Sequence, residues 1–285
     1  MKALIVGGKG QLGKGLSRTA PADATLVSHD IDTLDITDAA AIWQVVAEEK
    51  PDIVFNAAAY TAVDKAESEE EAAQAVNATA VGYLADAARK AGARFVHVST
   101  DFVFDGRSGV PYKPDAQPAP LGVYGRTKLA GEQAAGTDAL IVRTAWVYAP
   151  NGGNFVRTML RLMAERPEVR VVADQIGTPT YAPGLAAALW AMAFKGIRGI
   201  HHYTDAGACS WYDFAVAIQE EALAAGLLDK AVPIIPINAS EYPTPAQRPH
   251  YSVLDKTSTF AALGGPTPHW RANLRTMMAE IKTHG

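Results

Sequence analysis

Short apolar runs alternate with longer stretches of mixed polarity through the first half of the chain. Continuous apolar runs of this length predict buried strands, at residues 2–6, 24–28, 52–56, 94–98 and 139–143. Residues 11–20, 38–49 and 67–91 predict helices, with Asp38 as the N-cap of the second and Gly92 as the C-cap of the third. Strands that alternate with helices indicate βαβ units, so we predict an α/β fold with a doubly wound parallel sheet.

After about residue 149 this alternation is less regular. Helices are predicted at residues 154–165, 183–194, 211–225 and 270–284, and strands at residues 169–172 and 232–237, with His201 and His202 at the end of a further strand. Residues 106–120 and 244–249 are rich in proline and predict loops. We predict a sheet domain over residues 1–149, to which later segments can contribute, and a smaller region over residues 150–285 that mainly binds substrate.

A glycine-rich segment follows the first predicted strand directly. Residues 7–13 read Gly-Gly-Lys-Gly-Gln-Leu-Gly and lead into a predicted helix. Glycines in this position let the backbone approach a pyrophosphate at the helix N-terminus, which indicates a dinucleotide cofactor and a Rossmann-type sheet. The alternative is a tight turn that needs glycine for conformational reasons only.

The choice of dinucleotide stays open in the sequence. Asp30 follows the second predicted strand and Asp35 lies five residues later. A carboxylate at this position binds ribose hydroxyls and repels a 2′-phosphate, whereas Lys9 in the glycine-rich segment could bind that phosphate. The pattern favours NADH weakly and is compatible with NADPH.

Tyr124 and Lys128 are four residues apart, so on a helix their side chains would lie on one face. A free tyrosine titrates near ~10, and a nearby ammonium favours the phenolate and lowers that pKa. Such a pair is typical of proton transfer to a carbonyl oxygen, although this spacing also occurs by chance. Ser99 and Thr100 end a predicted strand, so they lie near a cofactor if one is bound, unless they only cap the strand.

Composition excludes several other classes of protein. The formal net charge is −4, which argues against binding to nucleic acid or to an anionic membrane surface. The one cysteine, Cys209, fits a reducing compartment. We find no zinc-binding spacing, no signal peptide and no apolar run of membrane-spanning length, so we expect a cytoplasmic protein without a membrane segment. The charge run at residues 67–71 is interpreted as the acidic first turn of a solvated helix.

Several motifs together resemble a known family. Residues 7–13, the Ser99-Thr100-Asp101 run and the Tyr124/Lys128 pair resemble the extended short-chain dehydrogenases/reductases. Residues 56–67, 124–132, 143–148, 174–180 and 242–249 are similar to the dTDP-4-dehydrorhamnose reductases, and this resemblance runs nearly from end to end. It implies reduction of the C4 ketone of dTDP-4-dehydro-L-rhamnose to dTDP-L-rhamnose, with hydride from NADPH or NADH, as the last step of dTDP-rhamnose biosynthesis.

The resemblance also implies roles for individual residues. Tyr124 is the general acid, Lys128 tunes it and holds the nicotinamide ribose, and Thr100 binds the ketone, while Asn77 helps to hold a relay water. The implied cofactor-binding residues are Gly7, Gly10, Gln11, Leu12, Gly13, Asp30, Asp35, Ile36, Ala59, Tyr60, Thr61, Val98, Tyr124 and Lys128. The implied substrate-binding residues are Thr100, Asp101, Trp146 and Arg248. For Trp146 the alternative is core packing, and for Arg248 it is a surface ion pair.

Two departures from the family pattern carry their own predictions. Some members have an acid early in the first helix that holds a magnesium ion at a dimer interface, and here Gly15 stands at that position after Lys14. We therefore predict no metal, and a monomer or a homodimer without a bridging metal. His250 and Tyr251 follow the Arg-Pro pair where an asparagine is common, so the substrate pocket is expected to differ in detail.

Two other functions remain open. The first is a sugar-nucleotide epimerase or dehydratase that keeps and regenerates its NAD. A dehydratase usually has acidic residues after the Ser/Thr, and here Asp101 is followed by Phe102. The second is a non-catalytic regulatory subunit with the reductase fold, against which the intact set of Thr100, Tyr124 and Lys128 argues.

Overall fold

The computed structural model describes residues 1–284, and the side chains of residues 1–283. Its strands are β1 (Lys2–Val6), β2 (Thr25–His29), β3 (Ile53–Asn56), β4 (Arg94–Thr100), β5 (Leu140–Thr144), β6 (Val147–Tyr148), β7 (Val169–Val172), β8 (Ile176–Gly177), β9 (Thr180–Tyr181), β10 (Gly199–His202), β11 (Cys209–Ser210) and β12 (Ile234–Ile237). The predicted strands are confirmed to within two residues at either end.

The helices are α1 (Gln11–Arg18), α2 (Ala39–Glu49), α3 (Val63–Ala66), α4 (Glu70–Gln74), α5 (Ala80–Lys90), α6 (Val123–Ala135), α7 (Phe155–Glu165), α8 (Ala182–Phe194), α9 (Trp211–Ala225), α10 (Thr257–Leu263) and α11 (Trp270–His284). A π-helical turn lies at Ala75–Thr79, and 3₁₀ turns lie at Asp101–Val103 and Ala239–Glu241. Asp38 is the predicted N-cap of α2, since its carboxylate accepts from the backbone N–H groups of Ala40 and Ala41.

The prediction of one helix over residues 67–91 is wrong in its first part. Glu67 ends α3, and α4 begins only at Glu70. The helix then passes through the π-helical turn into α5 and ends before Gly92, whose φ of 72° is the left-handed conformation that glycine adopts freely. A π-helical turn inside a helix often occurs at a functional site.

Six strands form one parallel sheet in the order β10–β5–β4–β3–β1–β2, which confirms the predicted doubly wound fold. The chain runs outward from β1 to β2 and then returns to place β3 on the other side of β1. This reversal of direction leaves a crevice at the carboxyl ends of β1 and β3. In open sheets of this kind, ligands bind in that crevice.

Helices cover both faces of the sheet, which explains why its strands are continuous apolar runs. Successive side chains of β1 point to opposite faces. Leu4 packs in one cluster with Ile42 of α2 and Leu84 of α5, while Ile5 packs in another with Leu189 of α8. A strand that is buried on both sides has no polar face to present, so its sequence does not alternate.

The second half of the chain contributes to two regions. The strand β10 pairs with β5, and α8 packs against α1, so both belong to the sheet domain. The helices α7, α9 and α11 instead surround a separate apolar cluster with β7, and we call this part the C-terminal lobe. The lobe begins in the chain after β5, and Asn154 in the connection between them donates to Gln11 at the start of α1.

Candidate active site

The glycine-rich turn after β1 is shaped by close backbone contacts. The backbone N–H groups of Gly7 and Gly8 both donate to the carbonyl of His29, at 3.0 and 2.9 Å, which ties the turn to the end of β2. Gly7 has φ of 79°, and a Cβ there would lie 2.6 Å from the backbone nitrogen of Ala58. A Cβ on Gly13 would overlap the carbonyl oxygen of Gly7. Side chains are therefore excluded at these positions.

The first turn of α1, directly after this segment, can present donors to an anion. The first N–H groups of a helix have no intrahelical acceptor, and Gly10, the N-cap of α1, provides no side-chain acceptor for them either. Gln11 has its side chain turned away, because its Oε1 accepts from Asn154 Nδ2 at 2.9 Å. Leu12 is packed in the core. The residues present thus fit a pyrophosphate held by backbone N–H groups alone.

The predicted adenosine side is rich in carboxylates that already have protein partners. Asp30 accepts from the backbone N–H groups of Lys9, at 2.8 Å, and Ile31, at 2.9 Å. The ammonium of Lys9 is paired with Asp32, a residue that the sequence analysis did not single out. Asp30 therefore shapes the glycine-rich turn, and it also follows β2 at the position expected to bind ribose. The ammonium of Lys9 is already paired with a carboxylate.

Asp35 and Ile36 lie further along the same segment. Asp35 accepts from the backbone N–H of Thr37, at 2.9 Å, and from its hydroxyl, at 2.7 Å, and these hydrogen bonds hold the pKa of Asp35 below its usual range. Ile36 is buried and packs in the core cluster of α2 and α5. Contact of either residue with adenosine stays a prediction.

The segment after β3, with Ala59, Tyr60 and Thr61, is fixed by Asn77 of the π-helical turn. Asn77 Oδ1 accepts from the backbone N–H of Tyr60 at 2.9 Å, and its Nδ2 donates to the Tyr60 carbonyl at 3.1 Å. The same Nδ2 also donates to Thr127 Oγ1 of α6 at 3.2 Å. Since protein partners occupy this amide, the role of Asn77 in holding a relay water stays a prediction.

The helix that carries Tyr124 is capped from a distance. Gly122 precedes α6 and has no side chain, and Glu67 Oε1 instead accepts from the backbone N–H of Val123 at 2.8 Å. A Cβ on Gly122 would lie 2.5 Å from that oxygen. The acidic run predicted to be solvated is exposed, as expected, but Glu67 also holds the start of α6.

Tyr124 and Thr100 meet at the carboxyl end of β4. The Thr100 hydroxyl lies beside the Tyr124 side chain, and the Tyr124 ring packs edge-on against Phe102 at 5.5 Å between centroids. Burial raises the pKa of Tyr124 to about 12, although the neighbouring Thr100 hydroxyl opposes this shift. The predicted lowering of this pKa by Lys128 is not found, since burial is the main influence on it, and Tyr124 keeps its proton at neutral pH.

Lys128 is buried one turn further along α6. Its ammonium donates to the carbonyl of Val98 at 2.7 Å and lies 3.5 Å from Nε2 of His97. Burial lowers the pKa of Lys128 to about 8, and the negative charge of Glu132 opposes this shift. Val98 therefore takes part in the site through its backbone oxygen.

A layer of buried polar side chains lies next to Lys128, and no motif in the sequence indicated it. Glu132 of α6 accepts from Arg143 Nε at 2.8 Å and Nη2 at 2.7 Å, and from the hydroxyl of Ser99 at 2.5 Å. Ser99 thus faces α6, whereas the sequence placed it near the cofactor. The only sequence signal for this layer is the four-residue spacing between Lys128 and Glu132, which puts both on one helix face.

Asp101 has a carboxylate oxygen directed into buried space. The side chain is 2% exposed, and Oδ1 accepts from Thr100 Oγ1 at 3.1 Å. Within residues 1–284, Oδ2 makes no hydrogen bond of good geometry, although Ser252 lies beside the carboxyl and lowers its pKa. Burial is the larger effect and raises the pKa of Asp101 to about 6. A buried polar atom without a partner is a position where a ligand hydroxyl fits.

Trp146 lies where β5 leaves the sheet and is anchored on the C-terminal lobe. Its ring stacks on Trp211 with 3.5 Å between centroids, and its backbone has φ of 47°. A Cβ on Gly177 would lie 2.7 Å from the ring. The ring is partly buried and packs against the core cluster of the lobe, and its contact with a sugar stays a prediction.

Arg248 is found in an ion pair, the alternative that the sequence left open. Its Nη1 and Nη2 bind Asp64 Oδ1 and Oδ2 at 3.0 and 2.8 Å, and Arg248 holds the pKa of Asp64 below its usual range. This pair joins the loop of residues 242–250 to α3. Arg248 stays a candidate for the diphosphate, which would have to compete with Asp64.

Gly15 contacts a neighbouring helix. A Cβ there would lie 3.2 Å from the carbonyl oxygen of Ala182 in α8, so an acidic side chain does not fit without movement. Across residues 1–284, no group of three or more His, Cys, Asp or Glu side chains is arranged to hold a metal ion.

His250 Nδ1 lies 3.0 Å from the carbonyl of Asp174, and Tyr251 is bridged to Ile176 of β8. In the described part of the chain, no helix is both long and apolar enough to cross a membrane.

Comparison with known proteins decides the family. The family described as RmlD substrate binding domain matches residues 1–283. The chain belongs to this family, that of the dTDP-4-dehydrorhamnose reductases. The dTDP-4-dehydrorhamnose reductase of Burkholderia thailandensis is 44% identical, over 95% of this chain and 96% of that protein. The one from Escherichia coli K12 is 40% identical, over 99% of both.

A solved structure of the family superposes on this fold. The dTDP-4-dehydrorhamnose reductase of Bacillus anthracis, solved in complex with NADP, has a TM-score of 0.92 and 37% sequence identity. The match covers 98% of this chain and 99% of that one. The resemblance inferred from the motifs is thus confirmed at the level of the family and of the fold.

Proposed function

We propose that this chain reduces the C4 ketone of dTDP-4-dehydro-L-rhamnose to dTDP-L-rhamnose, with NADPH or NADH as the hydride donor. The observation that carries the proposal is the contact of Thr100 and Tyr124 at the carboxyl end of β4, next to the buried Lys128. The glycine-rich turn at the end of β1 lies at the same edge of the sheet. A nicotinamide bound at this edge supplies the hydride.

The chain's own residues supply the proton and the orientation. Reduction of a ketone requires an acid that is protonated at the working pH, and Tyr124, with its pKa raised to about 12, meets that requirement. Thr100 is positioned to donate to the same oxygen. Lys128, whose pKa is about 8, carries a positive charge at neutral pH and stabilises the phenolate that forms when Tyr124 gives up its proton.

The substrate is proposed to lie between this edge and the C-terminal lobe. The unpartnered oxygen of Asp101 would accept from a sugar hydroxyl, Trp146 would contact the apolar sugar face, and Arg248 would meet the diphosphate. A single cysteine and a net charge of −4 support a cytoplasmic enzyme without a nucleic-acid partner. The crowded contact of Gly15 supports a monomer, or a homodimer without a bridging metal.

The direct test is the decay of nicotinamide absorbance with purified protein and enzymatically generated dTDP-4-dehydro-L-rhamnose, run separately with NADPH and NADH. Stoichiometric oxidation that gives dTDP-L-rhamnose is the expected result, and the two rates rank the cofactors. Cofactor binding without oxidation would reject the proposal and favour the regulatory subunit. Interconversion of a sugar nucleotide without net oxidation would favour an epimerase.

The role of Tyr124 is tested by Tyr124→Phe, which keeps the ring and removes the acid. We expect kcat to fall by about 10²–10⁴-fold, the usual contribution of a positioned acid, while cofactor affinity is retained. Tyr83→Phe in α5 is the matched control and should keep its rate. An unchanged kcat in Tyr124→Phe would remove this residue from the reaction.

A further inference from the structure

His97 is a fully buried histidine on β4 that no part of the proposed chemistry uses. Its Nδ1 lies 3.2 Å from Nδ2 of Asn56, and its Nε2 lies 3.5 Å from Nζ of Lys128. All three side chains are at most 2% exposed. Buried polar atoms need partners, so the ring nitrogens have these two groups to satisfy them.

The orientation of Asn56 decides which ring nitrogen carries the proton. Asn56 Oδ1 accepts from the backbone N–H of Ala58 at 3.1 Å, so the amide nitrogen is the atom that faces His97. An amide nitrogen only donates, and His97 Nδ1 therefore accepts. The ring is neutral, because burial and the neighbouring Lys128 hold the pKa of His97 well below its usual value. A neutral ring that accepts at Nδ1 carries its proton on Nε2.

The proton on Nε2 points toward the amine of Lys128. An ammonium has three donors and no acceptor, so it makes no hydrogen bond with an N–H group. A neutral amine has a lone pair, and it can accept from His97 while it donates to the carbonyl of Val98. The arrangement therefore gives the neutral amine both an acceptor and a donor, whereas it leaves the ammonium beside a donor.

We propose that His97, held by Asn56 as its Nε2–H tautomer, is a positioning residue that weakens the hold of Lys128 on its proton. This inference rests on the proposed reduction, in which Tyr124 loses a proton in each turnover. A lysine with a lowered pKa returns that proton more readily, because the free-energy change of the transfer depends on the difference between the two pKa values. His97 and Asn56 thus prepare Lys128 for the proton transfer without touching substrate.

Other charged groups near α6 do not replace this effect. On the same helix, Glu132 opposes it, since its charge favours the ammonium. Other charged groups on or beside the elements packed against α6 interact with other partners: Asp101 with Tyr124, Asp64 with Arg248, Lys65 with Glu69, Glu67 with the Val123 backbone, Glu70 with Arg126, Arg89 with Asp86, Lys90 with the Trp43 ring, and Arg94 with the Ala193 carbonyl. His97 is therefore the polar side chain from β4 that faces the amine directly.

The first test needs neither cofactor nor substrate. Protein with ¹⁵N-labelled histidine rings is studied by NMR at neutral pH, because the two tautomers and the imidazolium have distinct nitrogen shifts. The His97 signals are identified by their loss in His97→Gln. We expect a proton on Nε2 and none on Nδ1. A proton on Nδ1, or an imidazolium, would overturn the inference whatever the enzyme reduces.

The second test is the pH dependence of kcat/KM for the reduction. The wild-type rate is expected to fall as pH rises through the pKa of Lys128, because the ammonium is required. In His97→Gln the amide oxygen can accept from the ammonium, so this fall should move to higher pH by about one unit or more. His201→Gln, at a half-buried histidine on β10, is the control and should leave the profile in place.

The two tests separate the possible failures. A fall at unchanged pH in His97→Gln, with lower thermal stability, would show that His97 serves packing only. Absence of reductase activity in the wild type, together with the expected tautomer, would reject the proposed function and leave the Asn56–His97–Lys128 arrangement confirmed.

Discussion

The glycine-rich turn and the α6–β4 contact border the same crevice and are built in opposite ways. At the turn, Gly7 and Gly13 leave side chains out so that backbone can approach backbone and expose N–H groups. At the α6–β4 contact, Lys128 and Glu132 of α6 are buried together with Arg143 of the neighbouring strand β5. The first region presents backbone groups and depends on the absence of side chains, whereas the second depends on the identity of each charged partner.

This difference has an energetic consequence. Burying an ion costs about several kcal/mol of desolvation free energy, and the attraction of an oppositely charged partner offsets this cost. The folded state therefore tolerates a buried charge only while its partner is present. Loss of one partner at the α6–β4 contact should therefore cost more than an added methyl group at the turn. The following predictions test that ranking from the largest effect to the smallest.

Glu132→Gln should have the largest effect on stability. It leaves the Arg143 guanidinium buried without its counter-charge, and we expect the free energy of unfolding to fall by about 3–5 kcal/mol. Denaturant unfolding measures this change. Glu165→Gln, in the exposed pair with Arg161, is the control and should lose less than about 0.5 kcal/mol. Equal losses in both variants would contradict the contrast.

A second variant keeps this prediction testable if Glu132→Gln does not fold. The double substitution of Glu132→Gln with Arg143→Met removes both charges, and a matched apolar side chain in place of a buried pair is often tolerated. We expect the double variant to be more stable than Glu132→Gln alone. A double variant that is less stable would show that Arg143 has other essential partners.

Gly13→Ala should have an intermediate effect. The added Cβ overlaps the Gly7 carbonyl, so the turn has to move, and we expect a loss of about 1–3 kcal/mol in stability. NADPH affinity, measured by calorimetry, should also fall, because the displaced N–H groups no longer converge. Gly109→Ala, where the Cβ meets open space, should change neither quantity. Unchanged affinity in Gly13→Ala would separate this turn from cofactor binding.

Arg248→Ala should have the smallest effect on stability. The pair with Asp64 is partly exposed, and we expect a loss of up to about 1 kcal/mol. If Arg248 also meets the diphosphate, KM for the sugar nucleotide rises while kcat is maintained. Arg170→Ala removes a similar exposed pair, with Glu241, and should leave KM unchanged. Equal KM values for the two variants would restrict Arg248 to its ion pair.

The local sequence predicted those features of the fold that depend only on residues close together in the chain. The order of strands and helices, the Asp38 cap and the glycine-rich turn are all confirmed, because periodicity and backbone conformation act over a few residues. The helix over residues 67–91 was predicted too long, since nothing in its composition marks the break between Ala66 and Glu70 or the π-helical turn.

The side-chain partners could not be predicted in the same way. Arg248 and Asp64 are 184 residues apart in sequence, and Asn56 and His97 are 41 apart. In both pairs, the sequence around one residue gives no indication of which residue is its partner. The upward shift of the Tyr124 pKa has the same origin, since burial is set by all the segments that surround the ring and not by the spacing to Lys128.

The sequence alone determined the α/β architecture, the turn that can hold a pyrophosphate and the family, because each is encoded in local patterns of apolar, glycine and hydroxyl residues. The tertiary structure decided the charge state of the site: which carboxylates are already paired, how strongly Tyr124 and Lys128 hold their protons, and which tautomer His97 adopts. Protonation depends on burial and on partners in three dimensions, and only the folded chain brings these together.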